Sequence, residues 1–190
     1  IKSGSMSVSD DGATLFFDNL IIKSELTESE GDLFYTTTDK FSEAELKKWS
    51  IVLTGDNDLQ TKGYEAITSR GVDLIISGSG RLTLECGYIG ISLSSEYWGG
   101  TNGELVIDNT TVTCLGYMAV ASCRNILVKN SYFEGSVLSN VDNLTMEGFS
   151  IRVPYNGWFD SEAEQFKIRD ASDNFADHFI IAKSDDDSNR

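Results

Sequence analysis

Leu105-Val106-Ile107-Asp108-Asn109 decides the fold of this chain, because the same five-place pattern stands at six further positions. It reads apolar, any residue, apolar, any residue, then Gly, Asn or Asp. The other copies are Leu15-Phe16-Phe17-Asp18-Asn19, Ile51-Val52-Leu53-Thr54-Gly55, Leu74-Ile75-Ile76-Ser77-Gly78, Ile126-Leu127-Val128-Lys129-Asn130, Leu144-Thr145-Met146-Glu147-Gly148 and Phe166-Lys167-Ile168-Arg169-Asp170. Alternation places both apolar side chains on one face of a strand. The fifth residue is always a type that tolerates positive φ, so each strand is expected to stop at a sharp turn.

Two more elements recur around the pattern. A second strand follows the turn at Leu20-Ile21-Ile22, Leu82-Thr83-Leu84, Val112-Thr113-Cys114 and Phe149-Ser150-Ile151. A glycine-aromatic step then leads into a third, at Gly63-Tyr64, Gly87-Tyr88, Gly116-Tyr117 and Gly157-Trp158, while Gly135-Ser136 fills the same slot without an aromatic. Three short strands per repeat, each closed by a turn, predict an all-β fold: a single-stranded right-handed parallel β-helix, a solenoid of about seven rungs, with one short helix in an insertion. A β-sandwich also has short alternating strands, but its strands share no common register with the same turn residue.

Residues 1–190 are expected to form one domain. The insertion at residues 23–50 holds the helix signal Phe41-Ser42-Glu43-Ala44-Glu45-Leu46-Lys47-Lys48-Trp49, in which Ser42 and Glu45 have capping-box spacing. Residues 94–103 read as a polar, glycine-rich surface loop, and residues 184–190 as an acidic tail. No apolar run is long enough to span a membrane as a helix. A net charge of −15 disfavours nucleic acid as a partner, since phosphate recognition needs cationic patches. Cys86, Cys114 and Cys123 follow no metal-ligand spacing. Cys86 and Cys114 either pair or serve as small buried side chains.

Residues 51–93 resemble a repeat of secreted bacterial β-helix proteins of the carbohydrate-binding-domain type. The segments that carry the likeness are Ile51-Val52-Leu53-Thr54-Gly55-Asp56-Asn57 and Asp73-Leu74-Ile75-Ile76-Ser77-Gly78-Ser79-Gly80-Arg81-Leu82-Thr83-Leu84. The resemblance is loose after residue 105. It implies an extracellular or cell-surface setting, with polysaccharide and sometimes calcium as ligands.

The residues themselves offer three candidate sites. Tyr64, Tyr88, Tyr117 and Trp158 share a slot, and outward they would form an aromatic ladder suited to the apolar faces of sugar rings. Ala66, Gly90 and Ala119 would be the small outward neighbours, with Ile67, Ile91 and Val120 pointing in. The same rings, half-buried, would equally be a stack that only stabilises the fold. Tyr97 and Trp98 are adjacent aromatics in the second loop, placed either to bind or to staple it down. Asp56 and Asp58 alternate as oxygen ligands for a hard cation such as calcium, although turn-forming roles explain them too. His178 has no nucleophile partner and reads as a surface or packing residue. The expected function is a non-catalytic extracellular or cell-surface module that binds carbohydrate through exposed aromatics. The alternatives are a structural or adhesin segment of a surface protein, and a calcium-dependent polysaccharide lyase.

Overall fold

In Lys48–Thr54 the alternating side chains of Trp49, Ile51 and Leu53 are buried, and in Glu104–Asp108 so are Leu105 and Ile107. The computed structural model describes residues 1–25, 32–37, 48–94, 102–163 and 165–183. Along them run β1 (Ser3–Val8), β2 (Thr14–Ser24), β3 (Phe34–Thr37), β4 (Lys48–Thr54), β5 (Asp56–Thr61), β6 (Glu65–Arg70), β7 (Asp73–Gly78) and β8 (Arg81–Glu85). They continue with β9 (Ile89–Ser92), β10 (Glu104–Asp108), β11 (Thr111–Lys129), β12 (Tyr132–Glu147), β13 (Phe149–Val153), β14 (Trp158–Phe159), β15 (Ile168–Arg169) and β16 (Phe179–Lys183).

The expected right-handed β-helix solenoid is corrected by the pairing. Seven parallel strands follow one another as β10-β7-β4-β2-β5-β8-β11, and a further β10–β11 pairing closes the sequence into a ring. The fold is a closed parallel β-barrel with outer strands, of which β3, β6 and β9 form one parallel series. Closure removes free sheet edges from the ring. The physical reason for the discrepancy lies in the turn residues. Asn19 in β2 and Ser122 in β11 are left-handed, with φ of 49° and 54°, yet their strands continue through them. β2 therefore pairs with β4 before Asn19 and with β5 after it. β11 likewise serves β8, β9 and β10 in turn. A residue type that reads as a strand terminus acts here as a bend.

The five-place register itself has a structural counterpart. Asn19, Gly55, Gly78, Asn109, Asn130 and Gly148 all have positive φ. Leu15 pairs with Ile51, Leu74 with Leu105, Leu105 with Ile126, and Ile126 with Leu144. Between β4 and β7 the register slips by two places, so that Ile76 rather than Leu74 faces Ile51. An even slip keeps the apolar side chains inward, which is why it is tolerated. The seventh copy departs entirely, because Ile168 and Arg169 form β15, antiparallel to β14. Phe149-Ser150-Ile151 also lies in an antiparallel pairing, with β16. Among the described residues there is no helix: Lys48 and Trp49 belong to β4, and residues 41–47 of the expected helix lie outside the described residues.

Inside, the aliphatic side chains of the parallel strands form one core, closed at one side by the edge-on pair Phe133 and Phe179. Among the described residues, buried side-chain polar groups are hydrogen-bonded, with Asp58 Oδ1 the exception. Trp49 Nε1 donates to Ser69 Oγ at 3.0 Å, and Ser69 donates onward to the Val72 carbonyl at 2.6 Å. Asn57 is 2% exposed. Its Oδ1 accepts the Leu20 N–H at 2.9 Å, and its Nδ2 donates to the carbonyls of Thr54, Gly55 and Arg81.

Candidate functional site

Each glycine-aromatic step sits where one strand bends into the next, and the glycines explain why a ring follows. A Cβ on Gly116 would lie 2.7 Å from Cys86 Sγ and 2.9 Å from the Tyr88 carbonyl oxygen. The backbone thus approaches the neighbouring strand closely at that point, and the next residue projects beside its counterpart. Tyr64 and Tyr88 are stacked with ring centroids 4.7 Å apart and planes 29° from parallel. Tyr88 and Tyr117 follow at 5.2 Å and 16°. Tyr64 and Tyr117 are 42% and 51% exposed, while Tyr88 between them is half-buried.

Ala66, Gly90 and Ala119, expected to be small outward neighbours, are buried instead, alongside Ile67, Ile91 and Val120. β6 is buried at four successive positions. The strict period of two is lost there because the chain bends inward after each tyrosine. Gly90 shows how tight the packing is: a Cβ there would meet the Ala119 carbonyl oxygen at 2.8 Å and Cys114 Sγ at 3.1 Å. Cys86, Cys114 and Cys123 are free buried thiols. Burial pushes the Cys86 thiol up to about 11 and that of Cys123 up to about 12, and it raises Cys114 as well.

The stack ends at Tyr117. Ser136 occupies the next slot and turns its hydroxyl inward, donating to the carbonyls of Gly116 at 2.7 Å and Tyr117 at 2.9 Å. No ring covers the outer face of Tyr117 on that side among the described residues. Trp158, expected in the same ladder, lies apart in β14, paired with Arg169 of β15. It is 44% exposed. Tyr97 and Trp98 lie outside the described residues.

Beside the stack, the outward faces of β8, β11 and β12 form a polar floor. Arg81, Thr111 and Tyr132 are in register, as are Thr83, Thr113 and Glu134. Glu134 holds two partners: the Tyr132 hydroxyl donates to Oε2 at 2.9 Å, and His178 Nε2 stands 3.0 Å from Oε1. Burial and the neighbouring Glu134 carboxylate push the Tyr132 phenol up to about 12, so it stays protonated. His178 is thereby tied to β12 rather than isolated. The sequence carried a signal for this grouping, since Tyr132 and Glu134 alternate on one strand face, but nothing in it placed His178 opposite them.

Asp56 and Asp58 both face outward on β5. Asp56 pairs with Arg81 at 3.2 Å, with both side chains well exposed. Asp58 Oδ2 accepts from Gln60 at 2.8 Å, and its buried Oδ1 has no partner among the described residues. Asn57 between them is consumed by the backbone. Among the described residues no three metal-ligating side chains converge. Compared with protein families, with curated proteins and with solved structures, this chain matches none, so what it does has to be read from its own geometry.

Proposed function

We propose that this protein binds a saccharide without cleaving it, at the outer face of Tyr117, in an extracellular or cell-surface setting. The observation that carries the reading is the end of the tyrosine stack. Stacking at 4.7 and 5.2 Å hides the faces between the rings, so Tyr88 offers a ligand only its edge. Tyr117 is half exposed, and Ser136 stands where another ring would continue the series. A pyranose ring can take that slot, with its C–H face on the tyrosine and its hydroxyls toward polar neighbours. A ring already held by stacking loses little freedom on binding, which favours affinity.

The floor beside the stack supports binding over cleavage. Of its carboxylates, Glu134 is engaged by Tyr132 and His178, and Glu85 stands exposed at the end of β8. Asp58, in register with Glu134, is three strand pairings away, roughly 14 Å. Glycoside hydrolysis needs a carboxyl pair about 5 to 9.5 Å apart.

The test is a glycan array followed by calorimetric titration with soluble oligosaccharides, each with and without EDTA. Tyr117→Ala is expected to weaken binding at least about 10-fold, the order of one lost stacking contact, whereas Tyr117→Phe retains it. If no glycan binds, or if Tyr117→Ala binds like the parent protein, the stack is structural only. Loss of binding in EDTA would add a cation to the reading.

A further inference from the structure

Outward side chains of β11 and the corner before it form a single line: Asn109, Thr111, Thr113 and Leu115, ending at Tyr117. From Thr111 to Leu115 the strand part of the line is roughly 13 Å long at strand rise. Two hollows, of about 400 and about 560 Å³, meet at Thr111 and Tyr132 and cover the part of the line from Asn109 to Thr113, with Arg81, Glu134 and Lys183 also in their walls. Each is the size of an ordinary ligand cleft. Asn109 and Asn130 stand at successive left-handed corners with exposed carboxamides. Neither carboxamide, nor the hydroxyls of Thr111 and Thr113, has a hydrogen-bond partner among the described residues.

We propose that this track binds an extended, neutral oligosaccharide lying along β11, from the Asn109 and Asn130 corner to the ring of Tyr117. The proposal rests on the saccharide reading of Tyr117 and deepens it by naming a chain rather than a single sugar as the ligand. Carboxamides and hydroxyls each both donate and accept, as sugar hydroxyls do, and they carry no charge. An extended peptide is a poorer occupant, because it would need a free strand edge. β11 is paired on both sides across this stretch, with β8 and β12. A polyanion is disfavoured by the net charge of −15.

The experiment is titration with cellohexaose, xylohexaose and mannohexaose, each compared with its disaccharide, on the intact chain. At least one hexasaccharide is expected to bind at least 10-fold tighter than its disaccharide. The double substitution Thr111→Ala and Thr113→Ala is expected to remove that gain, so that hexasaccharide and disaccharide bind alike. Tyr117→Ala weakens both. Both threonines are surface residues, and circular dichroism confirms that the variant is folded. Equal affinity for hexasaccharide and disaccharide, or a gain that survives the double substitution, overturns the track while the stacking reading stands. Binding that ignores Tyr117→Ala overturns the stacking reading instead, and no binding by any of the six sugars overturns both.

Discussion

The ring centroids of Tyr88 and Tyr117 lie 5.2 Å apart with planes 16° from parallel, so each ring covers one face of the other. Tyr64 covers the opposite face of Tyr88 at 4.7 Å. The central ring is therefore covered on both faces, whereas Tyr117 at the end of the stack is 51% exposed.

That division predicts an order of stabilities. Aromatic pairs contribute roughly 0.5 to 1.5 kcal/mol each beyond burial, so Tyr88→Ala, which breaks two, is expected to cost about 1 to 3 kcal/mol on that account. Tyr117→Ala breaks one and should cost about half as much. Urea unfolding of the two variants measures this directly. A Tyr117→Ala penalty equal to or above that of Tyr88→Ala would mean that the stack contributes little to stability.

Asn57 is expected to be the most sensitive polar residue of the barrel. Its carboxamide ties Leu20 of β2 to Thr54, Gly55 and the Arg81 carbonyl at the corner between β4 and β5. Asn57→Ala leaves a buried N–H and several carbonyls without this partner, at about 1 to 3 kcal/mol for each group that water cannot reach. A loss above about 2 kcal/mol is expected overall, with little change for the exposed neighbour in Asp56→Ala. Similar small penalties for both would show that water replaces the carboxamide.

How much of this was legible in the sequence depends on the residue. The alternation of Leu105 and Ile107 gave strands, and Asn109 gave a left-handed corner, because both are local properties of the chain. Closure was not local. It depends on Asn19 and Ser122 bending a strand without ending it, and on β11 pairing with three partners in turn. The slots of Tyr88 and Tyr117 were legible from Gly87 and Gly116, where the backbone lies close to its neighbour, but Gly157 carries the same signal and Trp158 lies apart from the stack. The burial of Ala66, Gly90 and Ala119 was not legible, because period two fails where a strand bends. Thr111, Thr113 and the free carboxamides carry no motif at all. They stand out as candidates only once the fold shows that their neighbours leave them unpaired.

The three thiols are expected to be unreactive while the protein is folded. Cys86, the most accessible, is raised to about 11 by burial, so little thiolate exists at pH 8. Native protein should leave all three unlabelled by a thiol reagent at that pH and yield three equivalents on unfolding in urea. Rapid labelling of one cysteine in the native state would show that the packing around Cys86 and Gly116 opens readily.

Glu65 gives the pH dependence a definite sign. Its carboxyl is held above the ordinary glutamate value of 4.5 chiefly by burial, helped by the Asp32 carboxylate, against hydrogen bonds from the Thr68 and Ser92 hydroxyls. The folded state thus holds this proton more tightly than the unfolded chain does. The stability it confers is fully present below about 4.5 and is lost as pH rises through the folded value. Glu65→Gln keeps an oxygen for the Thr68 hydroxyl and cannot ionise. The variant should match the parent near pH 4, gain on it as pH rises toward neutrality, and be the more stable of the two at pH 7. Urea midpoints across that interval test this. Parallel profiles for the two proteins would show that the charge on Glu65 costs the fold nothing, and a variant less stable at pH 7 would show that the ionised carboxylate is an asset at this corner.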